Sequence, residues 1–302
     1  MRQFTIRVPA STSNLGSGFD ALGLAIDLHL TVKFKISKSN RQLKAKGEGA
    51  VLIQQEENNL ILQAFDRACR EMGCESPPLQ IEMINRIPLK RGLGSSGAAI
   101  VAGLVGANLL LRKKLSQRQI LNLACEMEGH PENASASLLG GLAVNGVENG
   151  EVKLQRFLPP DDWVAAAFIP ELEIATHAAR RVLPEMLPRR DAVNNVQRVA
   201  VLVAAFAKRD SSLLKFGVQD WLHQPYRKVL ISGFDAILAA AYEAGAFAAF
   251  LSGSGSTILA ICAKPKAKKI SQAMAKAAAQ HKLAGKATVL KFAKRGVQIL
   301  KN

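Results

Sequence analysis

The chain has 302 residues, 48% of them hydrophobic, enough to bury a sizeable core and to form two domains. Its formal net charge is +16, from 40 Lys and Arg against 24 Asp and Glu. The longest apolar runs fall short of the ~20 residues that span a bilayer, Met1 to Ile6 alternates like a strand, and Cys69, Cys74, Cys125 and Cys262 form no C-x-x-C pair; a membrane anchor, a secretory leader and a structural zinc are not expected, and the chain reads as a cytoplasmic protein of enzyme size.

Phe4-Ile6-Val8, Leu30-Val32-Phe34-Ile36 and Leu79-Ile81-Met83 alternate with polar residues and predict half-buried strands. Pro9 to Asp20 reads as a polar, Gly-rich turn, where Asn14 and Asp20 either present an amide and a carboxylate to a ligand or simply build the turn. Asn58 to Met72 predicts a helix with Ile61, Phe65, Ala68 and Met72 on one face. From Pro88 to Ala99 the chain passes through a glycine turn into a small-residue helix that reaches about Arg112. Ser116-Gln117-Arg118-Gln119 forms a capping box for a helix ending near Glu128, and His130-Pro131-Glu132-Asn133 reads by itself as loop. Beyond Gly150, strands are expected at Trp163 to Ile169, Phe247 to Leu251, Thr257 to Ala263 and Ala287 to Phe292. Helices are expected at Asp191 to Lys208, around Ser212 to Glu243 and at Lys266 to Gln280. The order approximates β-α-β-β-α-β, the split-βαβ arrangement. The expected fold class is α+β, with a mixed α/β half over residues 1–160 and a ferredoxin-like split-βαβ half over residues 161–302.

The stretch from Pro88 to Ala99 carries the strongest chemical signal. Its glycines let the backbone turn sharply and approach a bound group, and the helix starting near Ser95 points unpaired N–H donors at it, a setting that suits phosphate. Gly92, Gly94 and Gly97 satisfy G-x-G-x-x-G, but Leu115-Ser116-Gln117-Arg118 stands where a dinucleotide fold needs an acidic residue. No Gly-Lys-Ser or Gly-Lys-Thr closes a Walker loop, and the protein-kinase motifs are missing. The Ser95-Ser96 pair offers hydroxyls to phosphate or Mg²⁺, or else only caps the helix. Leu251 to Thr257 is a second glycine turn that alone reads as a hairpin connection. No Asp or Glu follows Glu243, while eleven Lys or Arg stand between Lys264 and Lys301. The readings are a nucleic-acid face, electrostatic attraction of an anionic nucleotide and a solvated surface, and the last is favoured because Phe292 is the tail's one aromatic residue and no RNA-binding signature is present.

Taken together and in this order, Pro9 to Asp20, Pro88 to Ala99 and Leu251 to Thr257 resemble the three signatures of the GHMP family of small-molecule kinases. Asn14-Leu15-Gly16-Ser17-Gly18-Phe19-Asp20, Glu128-Gly129-His130-Pro131-Glu132-Asn133, Thr176-His177-Ala178-Ala179-Arg180 and His223-Gln224-Pro225-Tyr226-Arg227 are similar to the branch acting on L-homoserine. The resemblance covers nearly the whole chain and implies the two-domain GHMP kinase fold. It also implies ATP and Mg²⁺ as cofactors, phosphorylation of the side-chain hydroxyl of L-homoserine for threonine biosynthesis, and a homodimer without nucleic-acid or membrane partners. Asn59, Pro88, Leu89, Lys90, Arg91, Gly92, Leu93, Gly94, Ser95, Ser96, Gly97 and Ala98 would then contact ATP. Ser96 and Glu126 would hold Mg²⁺; Glu126 fits the family position better than Glu128, and only one of the two is expected to face the metal. Asn14, Asp20, His130, Asn133, Arg180 and Arg227 would bind the amino acid, Asp20 at its ammonium and the arginines at its carboxylate. Asn133, Ser96 and Glu126 would be the catalytic residues, with no obvious general base. Ser17, Gly97, Glu132 and Ala134 depart from the family pattern without removing an implied ligand. The alternatives are a sister kinase acting on mevalonate, shikimate or a diphosphocytidyl sugar alcohol, and a basic nucleic-acid-binding module.

Overall fold

The computed structural model describes residues 3–38, 40–55, 59–111 and 114–300. Alternating apolar residues build β1 (Gln3–Asn14) and β2 (Gly18–Ile36), which pair antiparallel with Ile6 opposite Val32 and Val8 opposite Leu30. β3 (Gln42–Gly47) and β4 (Leu79–Asn85) run parallel beside them, and β5 (Leu142–Glu148) pairs with both β2 and β6 (Glu151–Phe157). α1 (Ala50–Gln55), α2 (Leu60–Glu71), α3 (Ser95–Leu110), α4 (Gln117–Glu128) and α5 (Glu132–Leu139) complete this half. The capping box predicted at Ser116 and Gln119 is present at the start of α4.

The second sheet contains β7 (Trp163–Pro170), β8 (Ala248–Leu251), β9 (Ile258–Ala263) and β10 (Gly285–Lys291) in the order β10-β7-β9-β8, every pair antiparallel. Between β7 and β8 lie α6 (Thr176–Arg181), α7 (Arg189–Lys208), α8 (Leu214–Gly217), α9 (Gln224–Arg227) and α10 (Phe234–Glu243), and α11 (Ala267–Gln280) joins β9 to β10. This is the expected split-βαβ order. One face buries Val164, Ala166 and Phe168 against Ile237, Ile270 and Met274. The other buries Ala165, Leu259 and Ile261 in the same core as Leu202 and Phe206 of α7 and the side chains of the first sheet. β11 (Gln298–Leu300) then returns to pair with β1, so the first and last described strands meet in the first sheet.

Two sequence expectations are corrected. Most of the turn expected from Pro9 to Asp20 is strand, with β1 running to Asn14 and only Leu15 to Ser17 bridging to β2. Ser11, Thr12 and Ser13 are buried there as hydrogen-bonding groups rather than exposed turn builders. Glu132 and Asn133, expected in a loop, open α5, which is buried from Glu132 to Leu138. The expected helix limits Asn58 and Arg112 lie outside the described residues. Among the described residues no helix is long and apolar enough to cross a membrane.

α3 is apolar all round because it is buried all round, and its small residues let α2 approach closely. A Cβ on Gly103 would meet the Ile61 carbonyl oxygen at 2.3 Å and the Ala64 Cβ at 2.6 Å. Gly103→Ala should therefore cost about 1–3 kcal/mol of stability through overpacking, despite alanine's better helix propensity. An unchanged urea midpoint would contradict this close packing.

Candidate active site

A cavity of about 270 Å³ opens between the two halves. Its wall draws on the end of β1, the loop before α3, the ends of α4 and α5 that face each other, α6, α9 and the β8–β9 turn.

The glycine loop is pinned by its carbonyls. Lys90 O accepts from Ile174 N at 2.9 Å, Arg91 O from Thr257 N at 3.2 Å, Gly92 O from Ser252 Oγ at 2.6 Å and Leu93 O from Ser11 N at 3.2 Å. The N–H groups from Gly92 to Gly97 donate to no protein acceptor among the described residues. Gly94, at φ +67°, is the N-cap of α3 and brings no side-chain bond, so neither Ser95 nor Ser96 caps the helix. A Cβ on Gly94 would stand 2.0 Å from Ser11 Oγ. The result is a concave row of free donors at the start of a 16-residue helix, which is an anion site by construction. Pro88 to Ser96 line the cavity, while Gly97 and Ala98 are buried behind it.

Arg91, expected to contact ATP, lines the cavity while its side chain anchors the loop. Its guanidinium donates to Pro170 O at 2.7 Å, Leu89 O at 2.8 Å and Glu171 O at 2.7 Å, clamping the loop to the end of β7. Beside the loop, Leu30, Ile53, Ile61, Met83 and Ala99 form an apolar slot in the cavity wall. Asn59 borders it, using its side-chain oxygen to cap α2 through Ile61 N at 3.0 Å, which leaves its amide nitrogen for a ligand.

The expectation for Glu126 is overturned. Its side chain is 60% exposed and pairs with Arg67 at 3.0 Å, away from the cavity. Glu128 lines the cavity instead and accepts from Ser96 Oγ at 2.8 Å, with Oε2 buried and unpartnered. Burial pushes the Glu128 carboxyl up to about 7, against the opposing pull of His130. His130 Nδ1 lies 3.0 Å from Glu132 Oε1. Burial alone would lower this imidazole, but Glu132, Glu128 and Asp20 outweigh it and hold His130 up to about 9. Asn133 is fixed from three sides: Ser11 Oγ donates to Oδ1 at 2.9 Å, and Nδ2 donates to Ser13 Oγ at 3.2 Å and Glu132 Oε1 at 2.9 Å.

The remaining expected residues converge on the other end of the cavity. Asn14 Nδ2 donates to Gly253 O at 3.1 Å and its Oδ1 accepts from Asp20 N at 3.1 Å, so this amide ties the β1–β2 turn to the second glycine turn. Asp20 and Arg180 form a two-pronged pair at 2.8 and 3.1 Å. Arg227 is 2% exposed and lines the same space, its pKa pulled down to about 10 by burial and by Arg180. Sequence reasoning assigned no role to Phe19, Glu132, Thr176 or Ser254, which also border the cavity. The Glu132 carboxylate was discernible only as a lone acid between His130 and Asn133, and the apolar slot resembles ordinary core in sequence.

The chain is similar to known proteins over nearly its whole length. The family models for the GHMP kinases N terminal domain and the GHMP kinases C terminal domain match residues 59–141 and 202–280. A homoserine kinase of Caldanaerobacter subterraneus subsp. tengcongensis is 40% identical over 98% of this chain and 95% of its own, and one of Carboxydothermus hydrogenoformans is 41% identical over 87% and 86%. The crystal structure of homoserine kinase from Cytophaga hutchinsonii superposes with a TM-score of 0.89 at 30% identity, covering 99% of this chain and 98% of that one. A mevalonate diphosphate decarboxylase from Enterococcus faecalis shares the fold at a TM-score of 0.67 and 16% identity.

His223, wholly buried behind Arg227, gives a pH test of the site's electrostatics. Burial holds it below the ordinary 6.5, with Arg227 adding to the effect and Asp220 opposing it. The unfolded chain therefore takes up a proton that the folded state resists, so the stability His223 contributes is present above pH 6.5 and is lost as pH falls below it. Glu128, raised in the folded state, has the opposite slope over the same window, and the informative quantity is a difference. Between about pH 7 and about pH 5.5, the urea midpoint of His223→Asn should rise relative to that of the unmodified chain. Parallel curves would refute the buried neutral imidazole.

Proposed function

The chain belongs to the GHMP kinase family, and on that premise we propose that it transfers the γ-phosphoryl group of ATP to the side-chain hydroxyl of L-homoserine. The observation that carries this reading is the juxtaposition of a row of free backbone donors with a pocket in which Asp20 opposes Arg180 and Arg227. A zwitterion satisfies both poles, its ammonium taking Asp20 and its carboxylate the guanidinium groups, so one ion pair is exchanged for two. A substrate bearing only negative charge, such as mevalonate, would draw Arg180 away and leave Asp20 uncompensated.

The donors from Gly92 to Gly97 would cradle the phosphates, and the apolar slot with Asn59 would take the adenine. Ser96 supplies a hydroxyl and Glu128 a carboxylate with Oε2 buried, a pair that fits Mg²⁺, which takes few protein ligands when phosphate oxygens complete its shell. Bound there, the ion would neutralise charge on the phosphoryl oxygens. The second lone pair of Asn133 Oδ1 is free to orient the attacking hydroxyl. His130, a cation up to about 9, is no proton acceptor at neutral pH. The hydroxyl oxygen thus bonds to the γ-phosphorus as the bond to ADP breaks, and its proton passes to a phosphoryl oxygen or to water. A cytoplasmic homodimer and a division of the chain into residues 1–160 and 161–302 belong to the same proposal.

A coupled ADP-release screen over homoserine, mevalonate and shikimate tests the reading, and turnover is expected with homoserine alone. Ser96→Ala and Glu128→Gln should each lower kcat about 10²-fold or more, whereas Glu126→Gln stays within about 2-fold. Arg227→Ala should mainly raise the KM for homoserine, by about 10-fold or more. If Glu126→Gln and Glu128→Gln were equally impaired, the choice of carboxylate would be wrong.

A further inference from the structure

The wall behind Arg227 does more than fill space. Its guanidinium is held at three points: Nε donates to Ala179 O at 3.1 Å, and Nη1 donates to Gly253 O at 3.1 Å and stands 3.3 Å from His223 Nδ1. Nη2 donates to no protein acceptor among the described residues, and the residue borders the cavity. This nitrogen is therefore the one left for a ligand.

His223 is 0% exposed. Its Nε2 lies 2.9 Å from the Gly16 carbonyl oxygen, which can only accept, so Nε2 carries the proton and Nδ1 offers its lone pair to Arg227. Asp220 sits 3.4 Å from Nε2, and its carboxylate is itself anchored by the N–H groups of Leu222, His223 and Gln224. The Phe19 ring stacks on His223 with centroids 5.2 Å apart and lies under both guanidinium groups, 5.2 Å from Arg227 and 5.5 Å from Arg180.

We propose that His223, backed by Phe19, is a positioning residue for the substrate carboxylate: its neutral ring accepts from Arg227 Nη1 and so directs Nη2 into the cavity. The proposal rests on the amino-acid reading of the pocket given above. Packing alone would not require this arrangement. A phenylalanine would fill a similar volume, yet it would leave one of the two Nη1 N–H groups of a buried guanidinium without an acceptor, Gly253 O holding the other. The bond to Gly16 also joins Arg227 to the short turn whose flanks carry Asn14 and Asp20. That bond keeps the proton on Nε2 in the unmodified chain, so that Nδ1 stays an acceptor for Arg227.

Two amide variants separate the two roles of the ring. In His223→Asn the side-chain oxygen occupies the place of Nδ1 and still accepts from Arg227, while the tie to Gly16 is lost. In His223→Gln the amide nitrogen reaches the place of Nε2 and keeps Gly16, while the acceptor for Arg227 is lost. In homoserine-dependent ADP release, His223→Gln should raise the KM for homoserine about 10-fold or more with the KM for ATP within about 2-fold, and His223→Asn should stay within about 3-fold on both. Phe19→Leu, which removes the platform and leaves the hydrogen bonds, should raise the homoserine KM about 2- to 5-fold. Thermal unfolding midpoints identify any variant whose defect is loss of fold. Equal rises in the Asn and Gln variants, or a rise shared by the KM for ATP, would mean a structural role only and would overturn the proposal. An unmodified chain that releases no ADP with homoserine overturns the substrate reading and this one with it; an active chain whose His223→Gln variant keeps the homoserine KM overturns this one alone.

Discussion

Four consecutive carbonyls, from Lys90 to Leu93, govern what the glycine loop can bind. A peptide unit directs its C=O and N–H to opposite sides, so engaging the carbonyls with surrounding protein turns the amide hydrogens of the loop toward the cavity. The donors that hold them come from β1, from the β8–β9 turn and from the segment between β7 and α6. Neither sheet alone could supply them. The anion site is thus a property of the assembled core, and Gly92 and Gly94 are required because a Cβ at either would drive into Ser252 O or Ser11 Oγ at 2.0 Å.

Acids and cations are interleaved around the cavity, where Lys90 and Arg91 also stand, both paired with Glu173. Asp20, Glu128 and Glu132 face His130, Arg180 and Arg227, and each is at least partly withdrawn from water. Desolvation wins at Glu128, where one imidazolium does not repay the burial of a carboxylate, and loses at His130, where three acids surround one ring. The same accounting explains why Arg227 is eased down while remaining charged: it has carbonyl acceptors and a neutral imidazole but no carboxylate of its own within hydrogen-bonding distance. An anionic group entering beside Nη2 would meet a cation whose desolvation cost has already been met by folding.

Much of this was legible in sequence because it rests on local periodicity. The alternation in β1, β2 and β4, the capping box at Ser116 and the β-α-β-β-α-β order of the second half all follow from spacing that no distant contact needs to correct. The polar stretch from Ser11 to Asn14 misled because the residues that build turns are also those that hydrogen-bond inside a core, and only the tertiary partners Asn133, Ser252 and Gly253 distinguish the two. Glu126 and Glu128 show the same limit. Two residues apart on a helix, they point to different sides, but which side meets the cavity is decided by Arg67 on α2 and Ser96 on α3. Asp20 and Arg180, 160 residues apart, leave no trace of their pairing in either local pattern.

Arg91 shows how a basic residue inside a glycine loop can serve to anchor that loop. Its three carbonyl acceptors, two of them at the end of β7, fasten the loop to the first strand of the second sheet. Thr257 and Ser252 add ties to the turn between β8 and β9 in that same sheet. β4, which delivers the chain into the loop, belongs to the first sheet. Any displacement of one half against the other must therefore either carry the loop with the second sheet or break several hydrogen bonds at once, each worth about 1 kcal/mol net. The free donors of the loop and the groups around Arg227, both fixed to the β8–β9 turn through Gly92 and Gly253, would then move as a unit, keeping the two ends of the cavity in register.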